Sequence, residues 1–193
     1  HFKMVKNDLP EIVRMGMNLV MPRRFDQMTW LGRGPHESYQ DRQTSAFVGL
    51  YSGSVADQYT AYIRPQENGN KTDVRWVAIT DQSGNGLLFK GMPLLSVSAH
   101  HNLLEDFESP RRTVGRFEDG EPVVRRHTTD VKPRDLTSVN IDYKQIGVGG
   151  DDSWGAWTHP QYRLTAKEYS YSFLIKPVKA GDNLPETGKL AIK

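Results

Sequence analysis

Apolar residues that recur at every second position are the feature that most constrains the fold of this chain. The clearest run lies near the C-terminus, with aromatic or branched side chains at Tyr169, Tyr171, Phe173 and Ile175. Similar runs occupy 15–21, 74–78 and 95–99. This spacing places one face of a strand in a core and the other face toward solvent. The chain is therefore predicted to be all-β.

The connections between these runs favour antiparallel strands. Residues 80–86 are rich in Asp, Ser, Asn and Gly, which suit a tight turn, and they predict a β-hairpin between the flanking strands. Only 102–108 has helical spacing, and the Ser109-Pro110 pair ends it. A helix that short cannot cross over a parallel sheet. The prediction is an antiparallel fold with one short helix.

The 193 residues are enough for one well-buried core, so residues 1–193 are interpreted as a single β-sandwich domain. The chain begins with an apolar and basic segment that resembles the end of a strand, and we expect the domain to lack its first strands. The stretch 111–134 is charged and contains Pro and Gly, which predicts an exposed excursion. Residues 181–193 have few apolar side chains and are expected to form a weakly ordered tail.

Charge and composition exclude several classes of partner. The formal net charge is +2 from nearly balanced acidic and basic residues, so no nucleic-acid partner is expected. No apolar stretch approaches the roughly 20 residues of a membrane span, and no membrane partner is expected. The N-terminal ten residues lack the apolar core of a signal peptide. Cysteine is absent, which excludes disulfides and zinc–thiolate sites and leaves the cellular compartment open.

Three stretches combine glycine with polar and aromatic residues in a way that ordinary strands and loops do not: 30–42, 64–69 and 147–155. In the third, glycines allow unusual backbone conformations, and Asp151 and Asp152 can bond nearby N–H groups. Such a turn would hold Trp154 outward, where its indole could stack on a sugar ring. The alternative, favoured by spacing alone, is that Trp154 closes the end of the sandwich.

Candidate catalytic groups are scarce. Adjacent residues usually point apart, whereas a glycosidase needs two carboxyls about 5 to 9.5 Å apart, so Asp151 and Asp152 are interpreted mainly as turn residues, with a sugar or cation contact as the alternative. Glu67 is predicted to form a buried ion pair, and the partners considered are Arg33, Arg42 and Arg75. The histidines show no metal-ligand spacing, and Ser153 lacks the flanking glycine of a nucleophile elbow.

The three stretches, in this order, resemble the C-terminal domain of the large bacterial β-galactosidases of glycoside hydrolase family 2. The resemblance implies an antiparallel β-supersandwich similar to the galactose-mutarotase fold. It also extends between the motifs, through 59–62 and 139–142. The positions that carry the motifs, and are expected to be structural, are Trp30, Arg33, Gly34, Pro35, Glu37, Tyr39, Asp41, Arg42, Pro65, Glu67, Asn68, Gly69, Gly149 and Gly150.

The resemblance also implies a function. In that family a separate barrel domain supplies both catalytic glutamates, so this chain is expected to have no catalytic residue and to be inactive alone. Trp154 is expected to stack on the glucose or acceptor sugar, with Asp151 and Asp152 as further substrate-binding residues. Backbone carbonyls of Arg64 and Pro65 are a possible sodium site, although Arg64 replaces an aromatic residue of the family.

For the whole enzyme the resemblance implies magnesium and sodium as cofactors. The expected partners are a galactoside or acceptor sugar, the other domains of the same β-galactosidase and further copies in a homo-oligomer. The expected location is the bacterial cytoplasm or periplasm. The alternative function is a free-standing carbohydrate-binding or mutarotase-like module, and the length of the reading frame would distinguish the two.

Overall fold

One antiparallel sheet contains most of the strand residues of this computed structural model, which describes residues 1–5, 11–107, 117–118, 121–122, 127–152 and 155–191. The strands in chain order are β1 (Phe2–Lys3), β2 (Arg14–Met21), β3 (Gln27–Gly34), β4 (Phe47–Ser54), β5 (Lys71–Thr80), β6 (Gly86–His100), β7 (Phe117–Glu118), β8 (Glu121–Pro122), β9 (Thr137–Gln145), β10 (Glu168–Tyr169) and β11 (Ser172–Val178). The main sheet has the order β2-β9-β6-β5-β3-β4, and β11 also pairs with β6. The all-β antiparallel class is confirmed.

The two layers of the sandwich belong to one branched sheet, because the 15-residue strand β6 runs through both of them. Its first half pairs with β11, from Gly86 to Met92, and its second half pairs with β9, from Ser96 to His100. The side chain of Tyr171 crosses between the branches and donates a hydrogen bond to the carbonyl of Ile141 at 3.1 Å. One branched sheet therefore surrounds the main core, which is consistent with the predicted all-β sandwich.

The alternation predicted for 15–21 is visible in β2, and the same pattern occurs in β3, where every second residue is buried, including Met28 and Trp30. Strand β5 departs from this pattern, because most of its residues are buried on both faces. One face joins the main core with Val77 and Ile79, and the other face packs Trp76 and Ala78 against a second apolar cluster. A sheet covered on both faces reads as a continuous apolar run rather than an alternating one.

The predicted hairpin joins β5 and β6, with Thr80 opposite Gly86. Asp81 explains the turn: its Oδ1 accepts hydrogen bonds from the backbone N–H groups of Ser83 and Asn85, both at 2.9 Å. Gly84 has a φ of +86°, a conformation that glycine adopts without steric cost. The hairpin prediction is confirmed.

The short helix lies elsewhere than the sequence pattern indicated. Within 102–107 the structure has only a 3₁₀ turn, at Leu104–Asp106, because Asp106 turns back to accept from the backbone N–H of Leu103 at 2.8 Å. The α-helix is α1 (Leu184–Thr187), and the side chain of Asn183 caps it by accepting from the N–H of Glu186 at 3.2 Å. The placement of the helix at 102–108 was wrong, and residue 108 lies outside the described residues.

Helix α1 covers the second apolar cluster, with Leu184 packed against it. A Cβ at Gly188 would lie 2.3 Å from Cδ1 of Trp76, so the chain approaches that indole closely. The weak order expected for the tail 181–193 stays a prediction, and residues 192–193 lie outside the described residues. Of the charged excursion 111–134, the structure describes the pair of β7 and β8 and residues 127–134. In the described part of the chain, no helix is long and apolar enough to cross a membrane.

Candidate functional site

Loops at three strand ends meet on one side of the sheet. The first, 35–42, follows β3; the second, 64–70, precedes β5; and the third, 146–158, follows β9, with Ser153 and Trp154 outside the described residues. The first two loops are joined by reciprocal hydrogen bonds between Ser38 and Asn70. The Ser38 N–H donates to the Asn70 carbonyl at 2.7 Å, and the Asn70 side chain donates to the Ser38 carbonyl at 2.8 Å.

Glu37 is the main link between these two loops. Its carboxylate is only 9% exposed and accepts from the backbone N–H of Gly69 at 2.7 Å. The guanidinium of Arg42 and the hydroxyl of Tyr62 also donate to it. Hydrogen bonds from a cation and several other donors hold a carboxylate in one orientation. Glu37 therefore fixes the loops and is not available as an acid or base.

The second loop depends on Gly69 and Asn68. Gly69 has a φ of +73°, and a Cβ there would lie 2.5 Å from the carbonyl oxygen of Gln58. The buried side chain of Asn68 accepts from the N–H of Thr60 at 3.1 Å and donates to the carbonyl of Gln66 at 2.9 Å. These bonds explain why a Pro-Gln-Glu-Asn-Gly sequence forms a stiff turn here.

Two buried bases beneath this turn were missed by the sequence analysis. Lys71 donates to the carbonyl of Gly69 at 3.3 Å and lies 5.3 Å from the ring centroid of Trp30, and burial lowers its pKa to about 8. His100 bonds the carbonyl of Asn68 through Nε2 at 2.9 Å, and burial lowers its pKa to about 4. Lys71 lies two residues after the motif 64–69, and this proximity was a usable sequence signal. His100 lies on β6, 32 residues from Asn68, and no sequence signal pointed to it.

The other motif residues of the first loop make contacts within the fold. Trp30 is buried and donates to the carbonyl of Arg33 at 2.9 Å. Arg33 in turn donates to Asp73 at 2.6 Å. Tyr39 is fully buried, and burial raises the pKa of its hydroxyl, with the charge of Glu37 adding to the effect. Gly34 ends β3 and Pro35 follows it at the surface.

Glu67 forms the predicted ion pair, but with a different arginine. Its carboxylate lies 2.6 Å from Arg14 of β2, and not beside the three arginines considered from the sequence. Arg14 also lies 2.8 Å from the carboxylate of Asp142 and donates to the side chain of Gln145 at 2.7 Å. Arg14 is 53 residues from Glu67 in sequence, so only the fold brings them together.

Asp41 connects the first loop to the third. Its Oδ2 accepts from the backbone N–H of Gly149 at 2.8 Å and from the hydroxyl of Thr158 at 3.4 Å. A Cβ at Gly147 would lie 2.6 Å from the Asp41 carboxylate, and one at Gly150 would lie 2.1 Å from the carbonyl oxygen of Ala156. Close packing therefore requires glycine at Gly147 and Gly150.

Asp151 and Asp152 lie at the exposed end of the third loop. The Asp151 side chain is 81% exposed and lies 2.7 Å from Nε2 of His159, and Asp152 accepts from the N–H of Ala156 at 3.3 Å. Both contacts are local, as expected of turn residues. The orientation of Trp154 falls on residues that the structure does not describe, so its role as platform or plug stays a prediction.

A second tryptophan of this loop was missed. Trp157 is 58% exposed, and the guanidinium of Arg163 lies 5.3 Å from the centroid of its ring. Glu11 holds Arg163 with two hydrogen bonds, at 2.7 and 2.6 Å. The position of Trp157, three residues after Trp154, was the sequence signal that could have identified it.

The remaining candidate is the sodium site predicted at the backbone carbonyls of Arg64 and Pro65. Arg64 is exposed and Pro65 is buried beside the second loop. Among the residues that the structure describes, no three His, Asp or Glu side chains lie close enough together to hold a metal ion. The sodium site at the backbone carbonyls of Arg64 and Pro65 stays a prediction.

Comparison with known proteins assigns the family. Residues 1–175 match the model of the beta galactosidase small chain. The chain belongs to this family. It is similar to a beta-galactosidase of Priestia megaterium, with 44% identity over 171 residues, which is 88% of the chain. The beta-galactosidases of Vibrio cholerae and Streptococcus thermophilus are 33% and 31% identical over 92% and 90% of the chain. The chain spans only 15% to 16% of the length of these three relatives.

Proposed function

We propose that this chain is the non-catalytic C-terminal part of a β-galactosidase of glycoside hydrolase family 2. In the whole enzyme, which removes terminal β-galactose residues, it completes the pocket for the sugar. The observation that carries the proposal is the third loop, which Asp41 braces from beneath through Gly149 while Asp151 stays exposed at its end. A braced, exposed loop next to a predicted tryptophan platform suits the contact with a sugar ring.

The carboxylates at the meeting point of the loops support a non-catalytic role. Glu37 is paired with Arg42, and both Glu67 and Asp142 lie against Arg14. A retaining glycosidase needs two carboxyls about 5 to 5.5 Å apart on either side of the scissile bond. The buried side chains of Glu37 and Asp142 cannot flank a substrate, so we assign the catalytic pair to the remainder of the enzyme.

An apolar sheet edge supports contact with that remainder. In the described part of the chain β4 pairs only with β3, and its residues Phe47, Val48 and Leu50 are 75%, 47% and 54% exposed. Exposed apolar residues on an edge strand mark an interaction surface. Since the relatives are more than six times longer than the matched region, we assign this edge to other domains of the same polypeptide.

The cofactors and the assembly that we propose for the whole enzyme are those implied by its resemblance to the family. Magnesium and sodium serve the whole enzyme, a galactoside or acceptor sugar is its ligand, and it forms a homo-oligomer in the bacterial cytoplasm or periplasm. A mutarotase-like activity is a weaker candidate, because His100 is only 4% exposed and Glu37 is fully engaged by donors. A general acid and base must reach the substrate.

The test is Trp154→Ala in the intact β-galactosidase that contains this chain. Loss of one stacking contact, worth about 1 kcal/mol, should raise the KM for lactose about fivefold. Cleavage of nitrophenyl galactoside should change little, because the galactosyl half and both catalytic carboxyls are held elsewhere. Gln82→Ala removes a surface side chain of the β5–β6 turn, outside the three loops, and should leave both substrates unaffected. Equal loss on both substrates, or unfolding of the Trp154 variant, would show that Trp154 is a structural plug.

A further inference from the structure

A groove of ≈ 580 Å³ lies beside the candidate site and is formed mainly by strand residues. Its lining includes Gln43, Asp73, Pro93, Leu94, Tyr143 and Lys144. It does not include residues 147–152, so it is separate from the braced loop. Its volume is within the range of small-molecule pockets, which is about 300 to 1,000 Å³.

Asp73 gives the groove a fixed acceptor. It is the one residue other than glycine with a positive φ, +53°, in the described ranges, and it lies where the register of β5 and β6 shifts. Arg33 donates to one carboxylate oxygen, Oδ2, at 2.6 Å, and the side chain is still 36% exposed. An uncommon backbone conformation of this kind persists where the surrounding contacts fix the orientation of the side chain.

The rest of the lining supplies the complementary groups. The side-chain carbonyl of Gln43 accepts from the hydroxyl of Thr72 at 3.2 Å, which orients the amide and leaves its two N–H donors for a ligand. Pro93 and Leu94 add apolar surface, and Leu94 is 40% exposed. The groove therefore offers donors, a carboxylate acceptor and an apolar wall together.

This combination selects a class of ligand. A pyranose sugar presents hydroxyls that both donate and accept and a C–H face that packs against apolar surface. An apolar molecule would leave the Gln43 amide and the Asp73 carboxylate unpaired, at a cost for each, whereas a hydroxyl can also accept from the ammonium group of Lys144 in the lining. The lining matches a neutral ring polyol best.

We propose that this groove is a separate binding site for a neutral pyranose sugar, such as galactose or a disaccharide that contains it. Asp73 accepts from a pair of ring hydroxyls, the Gln43 amide donates to a neighbouring oxygen, and the ring lies against Pro93 and Leu94. The site does not depend on the role of Trp154, because none of these residues belongs to the third loop.

Photoaffinity labelling locates such a site directly. The intact enzyme is irradiated with a methyl galactoside that carries a diazirine, digested, and mapped by mass spectrometry. We expect labelled peptides containing Tyr143–Lys144 or Pro93–Leu94, with the label lost in excess galactose and retained in excess mannitol, which has hydroxyls but no ring face. Label confined to other peptides, or label insensitive to galactose, would overturn the proposal.

Variants connect the label to the assigned contacts. Asp73→Asn tolerates the positive φ and should reduce labelling of the groove peptides about tenfold, the effect of one hydrogen bond to a charged group. Gln43→Ala should also reduce it. Gln82→Ala, which removes a surface glutamine bonded to Asp26, is the matched control and should label normally. Unchanged labelling in both groove variants would refute the assignment, and label at the groove with no Trp154 effect would separate this site from the proposed function.

Discussion

Asp142 is a buried carboxylate whose surroundings pull its ionisation in opposite directions. Burial raises its pKa, Arg14 at 2.8 Å lowers it, and burial prevails, so that the pKa is about 7. The neighbouring Gly16 allows this arrangement, because a Cβ there would lie 1.9 Å from the Asp142 carboxylate. A group buried this tightly makes the stability of the fold depend on pH.

The Asp142→Asn variant tests that dependence. The folded pKa, about 7, lies above the ordinary value of 3.8, so the folded state binds the proton more tightly than the unfolded state. The resulting stabilisation is present below about pH 4 and is lost as the pH rises to about 7. Urea unfolding at pH 5 and pH 8 should show the native chain losing about 2 kcal/mol more than the variant. Parallel losses would mean that Asp142 ionises normally.

Gly69 and Gly181 form a matched pair, because both have a positive φ, +73° and +85°. An alanine at Gly181 would have no atom within 4 Å of its Cβ, whereas at Gly69 the Cβ would lie 2.5 Å from the Gln58 carbonyl oxygen. Gly181→Ala should therefore cost only the conformational strain, about 1 kcal/mol. Gly69→Ala should cost about 3 kcal/mol, because the turn must also shift. Thermal or urea unfolding of both variants measures the difference, and equal costs would contradict the steric explanation.

At the scale of elements, the pattern of the sequence identified strands, one hairpin turn and three unusual loops. Periodicity reports burial on one face, which is why β2 was recognisable from the run 15–21, whereas Ile175 of the run in β11 is exposed. It did not locate helix α1, because a four-residue helix is decided by its cap and by the indole of Trp76 that it covers. The partner of Glu67 was missed for a similar reason: Arg14 is brought to it by the pairing of β2 with β9. Contacts of that range follow from the assembled sheet and not from local sequence.

The link between the first and third loops can be tested through Asp41, a positioning residue for the braced loop. In the intact enzyme, Asp41→Ala removes the acceptor for Gly149 and should raise the KM for lactose about as much as Trp154→Ala. If both act through one loop, the double variant should be no worse than either single variant. Asp41→Asn keeps an acceptor oxygen and should restore much of the effect. Asp57→Ala removes a surface cap at Ser54 and is the control, with no change in KM expected.

Additive effects of Asp41→Ala and Trp154→Ala would mean that Asp41 does not act through the loop. A loss of nitrophenyl galactoside cleavage equal to the loss with lactose would instead indicate general damage to the fold. The ratio of the two KM values is therefore the quantity to report, since a structural defect lowers activity on both substrates together.

At the scale of the whole molecule, the strongest prediction is that this chain supports sugar binding and lacks the groups that cleave the glycosidic bond. The chain folds its acidic groups into supports: Glu37 joins two loops, and Glu67 and Asp142 share Arg14. Glu37 and Asp142, whose side chains are 9% and 2% exposed, cannot reach a leaving group or an anomeric carbon. The 193-residue chain by itself should therefore not hydrolyse nitrophenyl galactoside. Release of nitrophenol is followed against a buffer blank, with the intact enzyme as the positive control. Activity that survives repurification, scales with the amount of chain and disappears in Glu37→Gln would show that the chain contains a catalytic acid after all.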